Sequence, residues 1–374
     1  MQSRKDAAMN ASPFALLMAC SLLALTSQSA WLVTFSVYLS LQYPSLPAST
    51  IACAVVAGSY LASVLLAPSA SLRGLRYGLL CSAVGLACLT RSDPLAVALV
   101  AVGTGWARPS YQRLVAALRP DNMTSSRAFS IYSAVVNLGY VVGGFGADWL
   151  RLSFGWSGLF GSAACATALA SLATLSIREP EATSPHGSDR PIPLGVSAWA
   201  LLAAVATYFL GSAQFQTVLP LIAEHETFGG WPSLRAGSLA AVHGFAVLML
   251  TLVQTARIGS EGSPVAVAGG IAMIGLCFVG LAGLHYPTHT IGVLLSVAVM
   301  SVGETWLSNH LQALGSRLAG LGRSAYWLAA AVGYVVSALW SIEWTTLSHR
   351  SFFLSIGAVC VLVSLSVPYA FRRK

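Results

Sequence analysis

The chain consists largely of apolar runs of about 20 residues that short polar breaks separate. A helix of about 20 apolar residues crosses the hydrocarbon core of a bilayer, so each run predicts one membrane-spanning helix. Continuous apolar runs favour helices over a barrel, whose strands would alternate apolar and polar residues over about ten positions. Because 56% of the residues are hydrophobic and only 9% are charged, the bilayer is the expected solvent for this chain.

Hydropathy predicts twelve spans and therefore an all-α membrane protein. The longest polar interruption, residues 178–193, contains mixed charge and four prolines and is interpreted as a cytoplasmic linker. We therefore predict an N-terminal six-helix bundle at residues 1–177 and a C-terminal six-helix bundle at residues 194–374. The predicted spans are residues 14–39, 51–67, 77–91, 94–118, 128–150, 156–177, 194–222, 236–256, 265–284, 290–313, 325–342 and 351–370.

Basic residues are concentrated in one set of the breaks between the spans. With both termini placed in the cytoplasm, fifteen lysines and arginines fall on the inner side and four on the outer side. This distribution follows the positive-inside rule, so the net charge of +8 reflects topology rather than nucleic-acid binding. We predict an integral membrane protein of the bacterial inner membrane with both termini cytoplasmic.

Short motifs recur in the two predicted halves in the same order. Residues 101–106 (AVGTGW) are echoed by residues 301–306 (SVGETW), and residues 138–142 (LGYVV) are echoed by residues 332–336 (VGYVV). Membrane helices rich in small residues also produce such echoes by chance, but two echoes in register favour a duplication. Duplicated bundles are typical of secondary transporters, which bind cargo near the membrane midplane between the repeats.

The organisation and several motifs of the chain resemble those of the major facilitator superfamily. The resemblance covers six plus six helices, the charged central linker, and the motifs NLGxxxGG at residues 137–144 and FGWxxLF at residues 154–160. Two motifs depart from the family pattern. The loop at residues 71–76 lacks the usual aspartate, and the glycine run at residues 143–146 lacks the usual proline. The glycine run indicates an antiporter of the drug or metabolite to proton type.

Two charged residues lie near the middle of predicted spans, Arg108 in the fourth and Glu304 in the tenth. An ionisable group at this depth costs about 2.5 to 3.5 kcal/mol on insertion scales, so a functional role is expected for each. Each belongs to a polar stripe at helical spacing, which faces protein or water rather than lipid. The stripes are Thr104, Arg108, Tyr111 and Gln112 in the fourth span and Ser301, Glu304, Ser308 and Gln312 in the tenth.

The family resemblance implies that the first, fourth, seventh and tenth helices line a central cavity, which Arg108 and Glu304 would face from opposite halves. We predict that Glu304 carries a proton, which it binds when it is desolvated and releases when water or Arg108 approaches. We predict that Arg108 binds an anionic group of the cargo or gates Glu304. The alternatives are a static ion pair between the two residues and a packing or snorkelling role for Arg108.

Other residues complete the predicted site. His243 on the eighth span can titrate near neutral pH and is a second predicted proton-coupling residue, with hydrogen-bonded packing as its alternative. Aromatic and amide side chains suit a partly apolar ligand, although such residues also pack between helices. The predicted substrate-cavity residues are Arg108, Tyr111, Gln112, Gln28, Trp31, Tyr38, Tyr208, Gln216, Ser301 and Ser308. The predicted gating and helix-packing residues are Arg73, Gly74, Arg76, Arg127, Gly139, Gly143 and Gly144.

Motifs for enzymatic chemistry are weak. Residues 155–158 (GWSG) match the G-x-S-G of rhomboid intramembrane proteases, but no histidine has an obvious position as the base. Residues 225–229 lack the second histidine of H-E-x-x-H, and no phosphate-binding Gly-Lys motif supports an ATP-driven pump. All seven cysteines lie in apolar spans without a C-x-x-C pair, so no metal site is predicted.

The sequence therefore predicts a secondary active transporter that moves a small organic molecule by alternating access, not an enzyme. The glycine-rich fifth helix, Glu304 and the aromatic cavity favour a proton-coupled exporter of a drug-like or amphipathic metabolite. Arg108 supports the alternative, a proton-coupled importer of a small anionic or zwitterionic nutrient, and an intramembrane serine protease is the least supported class. We expect no cofactor beyond a proton gradient, a small-molecule substrate and membrane lipids as partners, no nucleic acid, and a monomer.

Overall fold

The computed structural model describes residues 12–91, 95–179, 195–225, 235–255, 263–284, 290–315, 322–343 and 349–372. These residues form eleven continuous α-helical runs and two short 3-10 turns, Ala67–Ser69 and Thr174–Ser176, and they contain no strand. The run Ser125–Ala173 contains two segments, α5 (125–154) and α6 (156–173), on either side of Gly155. The other segments are α1 (Pro13–Gln42), α2 (Ala48–Leu66), α3 (Leu72–Leu89), α4 (Leu95–Ala117), α7 (Val196–His225), α8 (Ala236–Thr255), α9 (Pro264–Gly283), α10 (Thr290–Gly315), α11 (Gly322–Glu343) and α12 (His349–Arg372).

Gly155 is the turn between α5 and α6. Its φ of 67° and ψ of −169° lie in a part of backbone space that essentially only glycine adopts. Gly139 of α5 and Ala163 of α6 both accept hydrogen bonds from serines of α1, so the chain folds back on itself at this glycine. The GWSG sequence at residues 155–158 is therefore the junction of two helices.

The start of α3 differs from its predicted position. The hydroxyl of Ser71 accepts a hydrogen bond from the N–H of Gly74 at 3.0 Å, which caps the helix and starts it at Leu72. Hydropathy predicted a start at residue 77, because Arg73 and Arg76 lower the hydropathy of the first two turns. A capped polar helix end extends the helix beyond the apolar run.

Ten helices of the described residues are long and apolar enough to cross a membrane, with residues 127–176 counted as one of them. α4 is not among the ten, and it carries Arg108 and Arg113 together with Pro109. Within the described ranges, the number and order of helical segments agree with the twelve predicted spans.

The helices pack in two sets. In the first set α1 packs on α5 and α6, α3 packs on α4 and α6, and α2 packs on α4. In the second set α9 packs on α10 and α12, α7 packs on α11 and α12, and α8 packs on α10. The contacts that join the sets include those of α2 with α11, of α5 with α8 and of α1 with α7. Residues 180–193 of the predicted linker lie outside the described residues, so the domain boundaries stay a prediction.

Candidate functional site

A cavity of about 240 Å³ lies between helices of both sets. Arg108 of α4 and Glu304 of α10 both line it, together with most of the other residues that the sequence predicted. The predicted residues that line the cavity are Gln28, Trp31, Arg108, Tyr111, Gln112, Tyr208, Gln216, His243, Glu304 and Ser308. The cavity wall is also rich in aromatic rings, which include Trp31, Tyr60, Tyr111, Phe129, Tyr132, Tyr140, Tyr208, Phe209, Phe215, Tyr326, Trp327 and Tyr334.

The carboxyl group of Glu304 is paired with the imidazole of His243 on the neighbouring helix α8. The carboxylate oxygen Oε2 lies 2.9 Å from the imidazole nitrogen Nε2, and the His243 residue is only 6% exposed. The other imidazole nitrogen, Nδ1, lies 2.9 Å from the hydroxyl oxygen of Ser301. Tyr208 of α7 also lines the cavity, and the ring centroid of Phe215 lies 4.5 Å from that of the imidazole. The acid is thus paired with a side chain of α8.

The hydroxyl of Ser301 can act as donor or acceptor beside the imidazole. Its oxygen lies 2.9 Å from the carbonyl oxygen of Val297 and 2.9 Å from Nδ1 of His243, so it accepts from an Nδ1–H or donates to an unprotonated Nδ1. When Nδ1 is protonated and Glu304 and Nε2 share a second proton, the pair has no net charge. When the shared proton leaves, or when the carboxylate is ionised beside an imidazole with one proton, the pair has a net charge of −1.

Arg108 is held by hydroxyl groups of α2. Its Nη1 donates to the Ser63 hydroxyl at 3.2 Å and to the Ser59 hydroxyl at 3.4 Å, and its Nη2 lies 3.4 Å from the same Ser59 oxygen. Ser59 donates its own proton to the carbonyl of Val56, and Ser63 donates to the carbonyl of Ser59. Both hydroxyls therefore present lone pairs to the guanidinium. They orient the arginine without neutralising its charge.

The guanidinium of Arg108 also stacks on aromatic rings. Its central carbon lies 3.8 Å from the ring centroid of Tyr60 and 5.7 Å from that of Trp327. No carboxylate of the described residues lies within ion-pair distance of Arg108, whereas Glu304 is paired with His243. The Arg108–Glu304 ion pair that the sequence left open as an alternative is therefore not formed in this conformation.

Two predicted cavity residues lie elsewhere. Tyr38 packs edge-on against Trp156 and Phe160, with ring centroids 5.2 Å and 5.0 Å away, and does not line the cavity. It shares a helical face with Gln28, but ten residues of helix carry it about 15 Å farther along α1. Ser301 is fully buried and does not line the cavity, but its hydroxyl contacts the imidazole of His243, which does.

Several cavity residues were missed because they belong to helices that the family resemblance does not assign to the cavity. Ser59 and Tyr60 of α2 and Trp327 and Tyr334 of α11 surround Arg108. The spacing of Trp327 and Tyr334 is a signal that could have been used, since residues seven apart share one face of a helix. Nothing in the sequence alone pairs that face with Arg108.

The predicted gating residues on α3 anchor helices of the first set. A Cβ atom at Gly74 would lie 2.7 Å from the carbonyl of Ser69 and 2.9 Å from the indole nitrogen of Trp106, so glycine allows α3 to lie close to α4. Arg76 donates to the backbone carbonyls of Thr174 at 2.9 Å and Ile177 at 3.3 Å, at the end of α6. These contacts join helices within the set.

The other predicted gating residues differ in their surroundings. Arg73 and Arg127 are exposed near helix starts. On α5, Gly139 and Gly143 lie directly against residues 25–29 of α1, and Gly144 faces α8, where an added Cβ would lie 2.5 Å from the carbonyl of Gly237. The glycines of α5 therefore allow close approach on two sides, as the small-residue pattern predicted. A gating role for any of these residues stays a prediction.

A polar cluster at the junction of α5 and α8 was missed by the sequence interpretation, which gave Asp148 no role. Asp148 is 7% exposed, and its carboxylate caps the first turn of α8. It accepts hydrogen bonds from the N–H of Gly237 at 3.2 Å, the N–H of Ser238 at 2.7 Å and the Ser238 hydroxyl at 2.7 Å. A carboxylate at a helix N-terminus satisfies unpaired N–H groups and favourably faces the helix dipole.

An ion pair lies next to this cap. Arg151 of α5 donates to Glu224 of α7 at 2.8 Å, and the same carboxylate oxygen accepts from the N–H of Ala236 at 3.3 Å. We call Asp148, Arg151, Glu224 and the first turn of α8 (236–238) the clasp. The clasp joins α5 of the first helix set to α7 and α8 of the second.

Comparisons with known proteins agree with this architecture. The family model described as Major Facilitator Superfamily matches residues 14–342. No curated protein sequence matches the chain. Solved structures with a similar fold include a peptide transporter POT in complex with sulfate, with a TM-score of 0.81 and 16% identity over 97% of this chain and 94% of that one.

Two further solved structures are similar over almost the whole chain. A POT family transporter in complex with a thioalcohol-conjugated peptide has a TM-score of 0.81 and 16% identity, with 96% of each chain covered. A bacterial homologue of the human drug peptide transporters PepT1 and PepT2 has a TM-score of 0.78 and 17% identity, with 97% of this chain and 99% of that one covered. At such identity the likeness establishes the fold, and the predicted fold class is confirmed.

Proposed function

We propose, from the premise that this chain belongs to the major facilitator superfamily, that it carries a small organic molecule with an anionic group across the membrane together with a proton. Membership makes the chain an integral membrane protein and a secondary transporter, not an enzyme. Cargo class, coupling to protons and direction are the proposed parts. They rest on one observation, which is that Arg108 lines the cavity without a carboxylate partner among the described residues while Glu304 already has His243.

The charges of the cavity support an anionic cargo. When Glu304 and His243 share a proton and together have no net charge, the guanidinium of Arg108 is left as an uncompensated positive charge in the cavity. A cation buried in a membrane protein is costly unless a partner compensates it. An anionic group of the cargo would supply that partner, and Arg108 can bind a carboxylate with two parallel N–H donors.

The same charges favour symport over antiport. Loss of the shared proton gives the Glu304–His243 pair a net charge of −1, which repels an anion bound at Arg108. Protonation therefore strengthens binding of the anion, and by linkage the anion strengthens binding of the proton. Two ligands that favour each other's binding move in the same direction, so an inward proton gradient would drive uptake. The proposed function is therefore the importer that the sequence predicted as the alternative to an exporter.

Proton-coupled export remains the second candidate. The aromatic cavity wall and the close approach of the α5 glycines to α1 and α8 favour it, because an amphipathic cargo binds through aromatic surface. In that mechanism a cationic cargo would compete with the proton for Glu304. The two mechanisms differ in the sign of the coupling between cargo and proton.

Transport in proteoliposomes tests the proposal. We would screen labelled small organic acids, with ethidium as the cationic probe, under an imposed pH gradient that is acidic outside. Accumulation of an organic acid that an uncoupler abolishes is the expected result. In the same vesicles, which are alkaline inside, the exporter would instead move ethidium from the lumen to the outside. This result without uptake of any acid would establish export.

We also propose that both termini face the cytoplasm of a bacterium and that the chain acts as a monomer. The distribution of lysine and arginine between the two sides supports this orientation. Alkaline phosphatase fused after residue 374 should be inactive in cells, and fusion within the break between α1 and α2 should be active. The reverse pattern would contradict the orientation.

A further inference from the structure

A second, smaller cavity shares part of its lining, including Arg108, with the main one. It has a volume of about 40 Å³, and Arg108, Tyr60 and Gln216 are among the residues that line both cavities. The polar groups that line it also include Gln28 and Tyr140. We call this small cavity the Arg108 subsite.

Gln216 has a defined orientation in this subsite. The hydroxyl of Tyr334 donates to the amide oxygen Oε1 of Gln216 at 2.7 Å, and Tyr334 is only 2% exposed. Because its oxygen is occupied in this way, the amide directs its Nε2 group toward the hydroxyl of Tyr140, which lies 3.4 Å away. An amide nitrogen has two N–H donors, and that single long contact uses at most one of them.

The subsite therefore presents N–H donors from two helices. Arg108 contributes guanidinium N–H groups from α4, and Gln216 contributes amide N–H groups from α7. Ser59, which also lines the subsite, gives its proton to a backbone carbonyl and supplies only lone pairs to the arginine. Among the described residues that line the subsite there is no aspartate or glutamate. This combination suits an anion and disfavours a cation.

The subsite is small. Its volume of about 40 Å³ compares with about 240 Å³ for the main cavity, so it favours a small anionic group. A carboxylate has three heavy atoms and is planar, which matches the planar fork of a guanidinium. A sulfate or phosphate group has five heavy atoms in a tetrahedron and is bulkier.

We propose that the Arg108 subsite binds the carboxylate of the cargo and that Gln216, oriented by Tyr334, determines the preference for a carboxylate over a tetrahedral oxyanion. This inference rests on the proposed function, since it assumes an anionic cargo at Arg108. It adds a chemical class, a monocarboxylate group, and it adds Gln216 and Tyr334 as specificity-determining residues.

Thermal stabilisation of the purified protein tests the inference with anions as probes. Acetate and sulfate would each be compared with chloride at equal ionic strength, since a ligand that binds the folded state raises its melting temperature. We expect acetate to raise the melting temperature more than sulfate, and Arg108→Gln to abolish the acetate effect. Gln216→Leu and Tyr334→Phe should reduce the difference between acetate and sulfate. Tyr38→Phe, which removes a hydroxyl away from both cavities, should leave it unchanged.

The outcomes separate this inference from the proposed function. If neither anion stabilises the protein through Arg108, the anionic cargo and the subsite are both wrong. If both anions stabilise equally through Arg108, the anionic cargo survives and the carboxylate preference is wrong. If the preference for acetate is intact in Gln216→Leu and Tyr334→Phe, these residues do not determine specificity.

An internal carboxylate gives a test that needs no added ligand. Gln216→Glu places a carboxylate where the cargo carboxylate is proposed to bind. We expect Arg108→Gln to lower the melting temperature of the Gln216→Glu variant by more than it lowers the melting temperature of the wild type. Equal differences in the two comparisons would show that the introduced carboxylate does not reach Arg108 and would overturn the assignment.

Discussion

Two ion pairs of this protein have similar geometry and different chemistry. Glu304 and His243 lie 2.9 Å apart, and Arg151 and Glu224 lie 2.8 Å apart, with all four side chains at most 20% exposed. The first pair lines the cavity and joins α10 to α8 within one helix set, and the second joins α5 to α7 across the sets. An imidazole gains and loses a proton near neutral pH, whereas a guanidinium keeps its charge.

This difference predicts different roles for the two pairs. A proton can change the net charge of the Glu304–His243 pair without any movement of helices. In the clasp, the guanidinium of Arg151 keeps its positive charge. The contacts of Arg151 with Glu224 and of Asp148 with the first turn of α8 therefore break when α5 moves away from α7 and α8. Coupling between proton and cargo is thus expected at the cavity, and resistance to helix movement at the clasp.

The largest expected effect comes from removing the titratable acid. Glu304→Gln keeps the shape and a hydrogen bond to His243 but cannot release a proton, so the accumulation ratio of the cargo should fall to about one. Exchange of cargo between the two sides of a liposome should continue in part. The measurement compares driven accumulation with counterflow in the same vesicles, and full accumulation in the variant would remove Glu304 from the coupling mechanism.

The next largest effect concerns the positive side of the cavity. Arg108→Ala should weaken binding of an anionic cargo about 10- to 100-fold, because a hydrogen bond to a charged group contributes about 1.5 to 3 kcal/mol. A neutral analogue of the same cargo should lose much less, as measured by calorimetric titration. Equal losses for both ligands would indicate a structural role for Arg108. Arg108→Lys should recover only part of the affinity, since lysine lacks the planar fork.

The clasp can be tested by a double-mutant cycle. Glu224→Gln leaves the largely buried guanidinium of Arg151 without a carboxylate, and the coupling energy with Arg151→Gln should be about 1 to 3 kcal/mol. Thermal unfolding of the four proteins should give the same coupling at pH 6 and pH 8. A coupling that vanishes at one of these pH values would end the distinction between a proton-sensitive cavity and a permanent clasp.

The close approach beneath the clasp predicts a smaller effect. Gly144→Ala places a Cβ atom 2.5 Å from the carbonyl of Gly237 and 3.0 Å from the N–H nitrogen of Ala241, so α5 and α8 must separate at a cost of about 1 to 3 kcal/mol. Gly146→Ala is the matched control, because nothing lies within 4 Å of its added Cβ. Melting temperatures should fall for the first variant only, and equal shifts would contradict close packing at Gly144.

The smallest expected effect is at the hydroxyl behind the imidazole. Ser301→Ala removes the hydrogen-bond partner of Nδ1 of His243, which is a loss of about 1 kcal/mol and hence about a fivefold change in transport rate. The pH profile of transport should shift in this variant while that of Gly146→Ala stays as in wild type. An unchanged profile would show that Ser301 does not influence the proton shared by His243 and Glu304.

Much of this architecture follows from local properties of the sequence. Apolar runs of bilayer length determine the helices, because backbone groups in hydrocarbon must bond within their own segment. Because each run crosses the bilayer, the position of Arg108 and Glu304 near the middle of their runs predicts that both lie near the membrane midplane. Their polar stripes indicate that both face protein or water. Hydropathy alone could not locate helix ends that polar caps define, such as the start of α3, which Ser71 caps.

Only the tertiary structure decides which side chain is the partner of each charge. Glu304 pairs with His243 rather than with Arg108, and Asp148 caps a helix that begins 88 residues later in the chain. Such contacts depend on how helices distant in sequence cross and rotate against each other, and side-chain patterns along a single helix contain no information about this. The sequence by itself therefore determined that two charges lie inside a duplicated helical bundle. Packing decided that Glu304 is paired with His243 and that Arg108 faces the cavity without a carboxylate partner among the described residues.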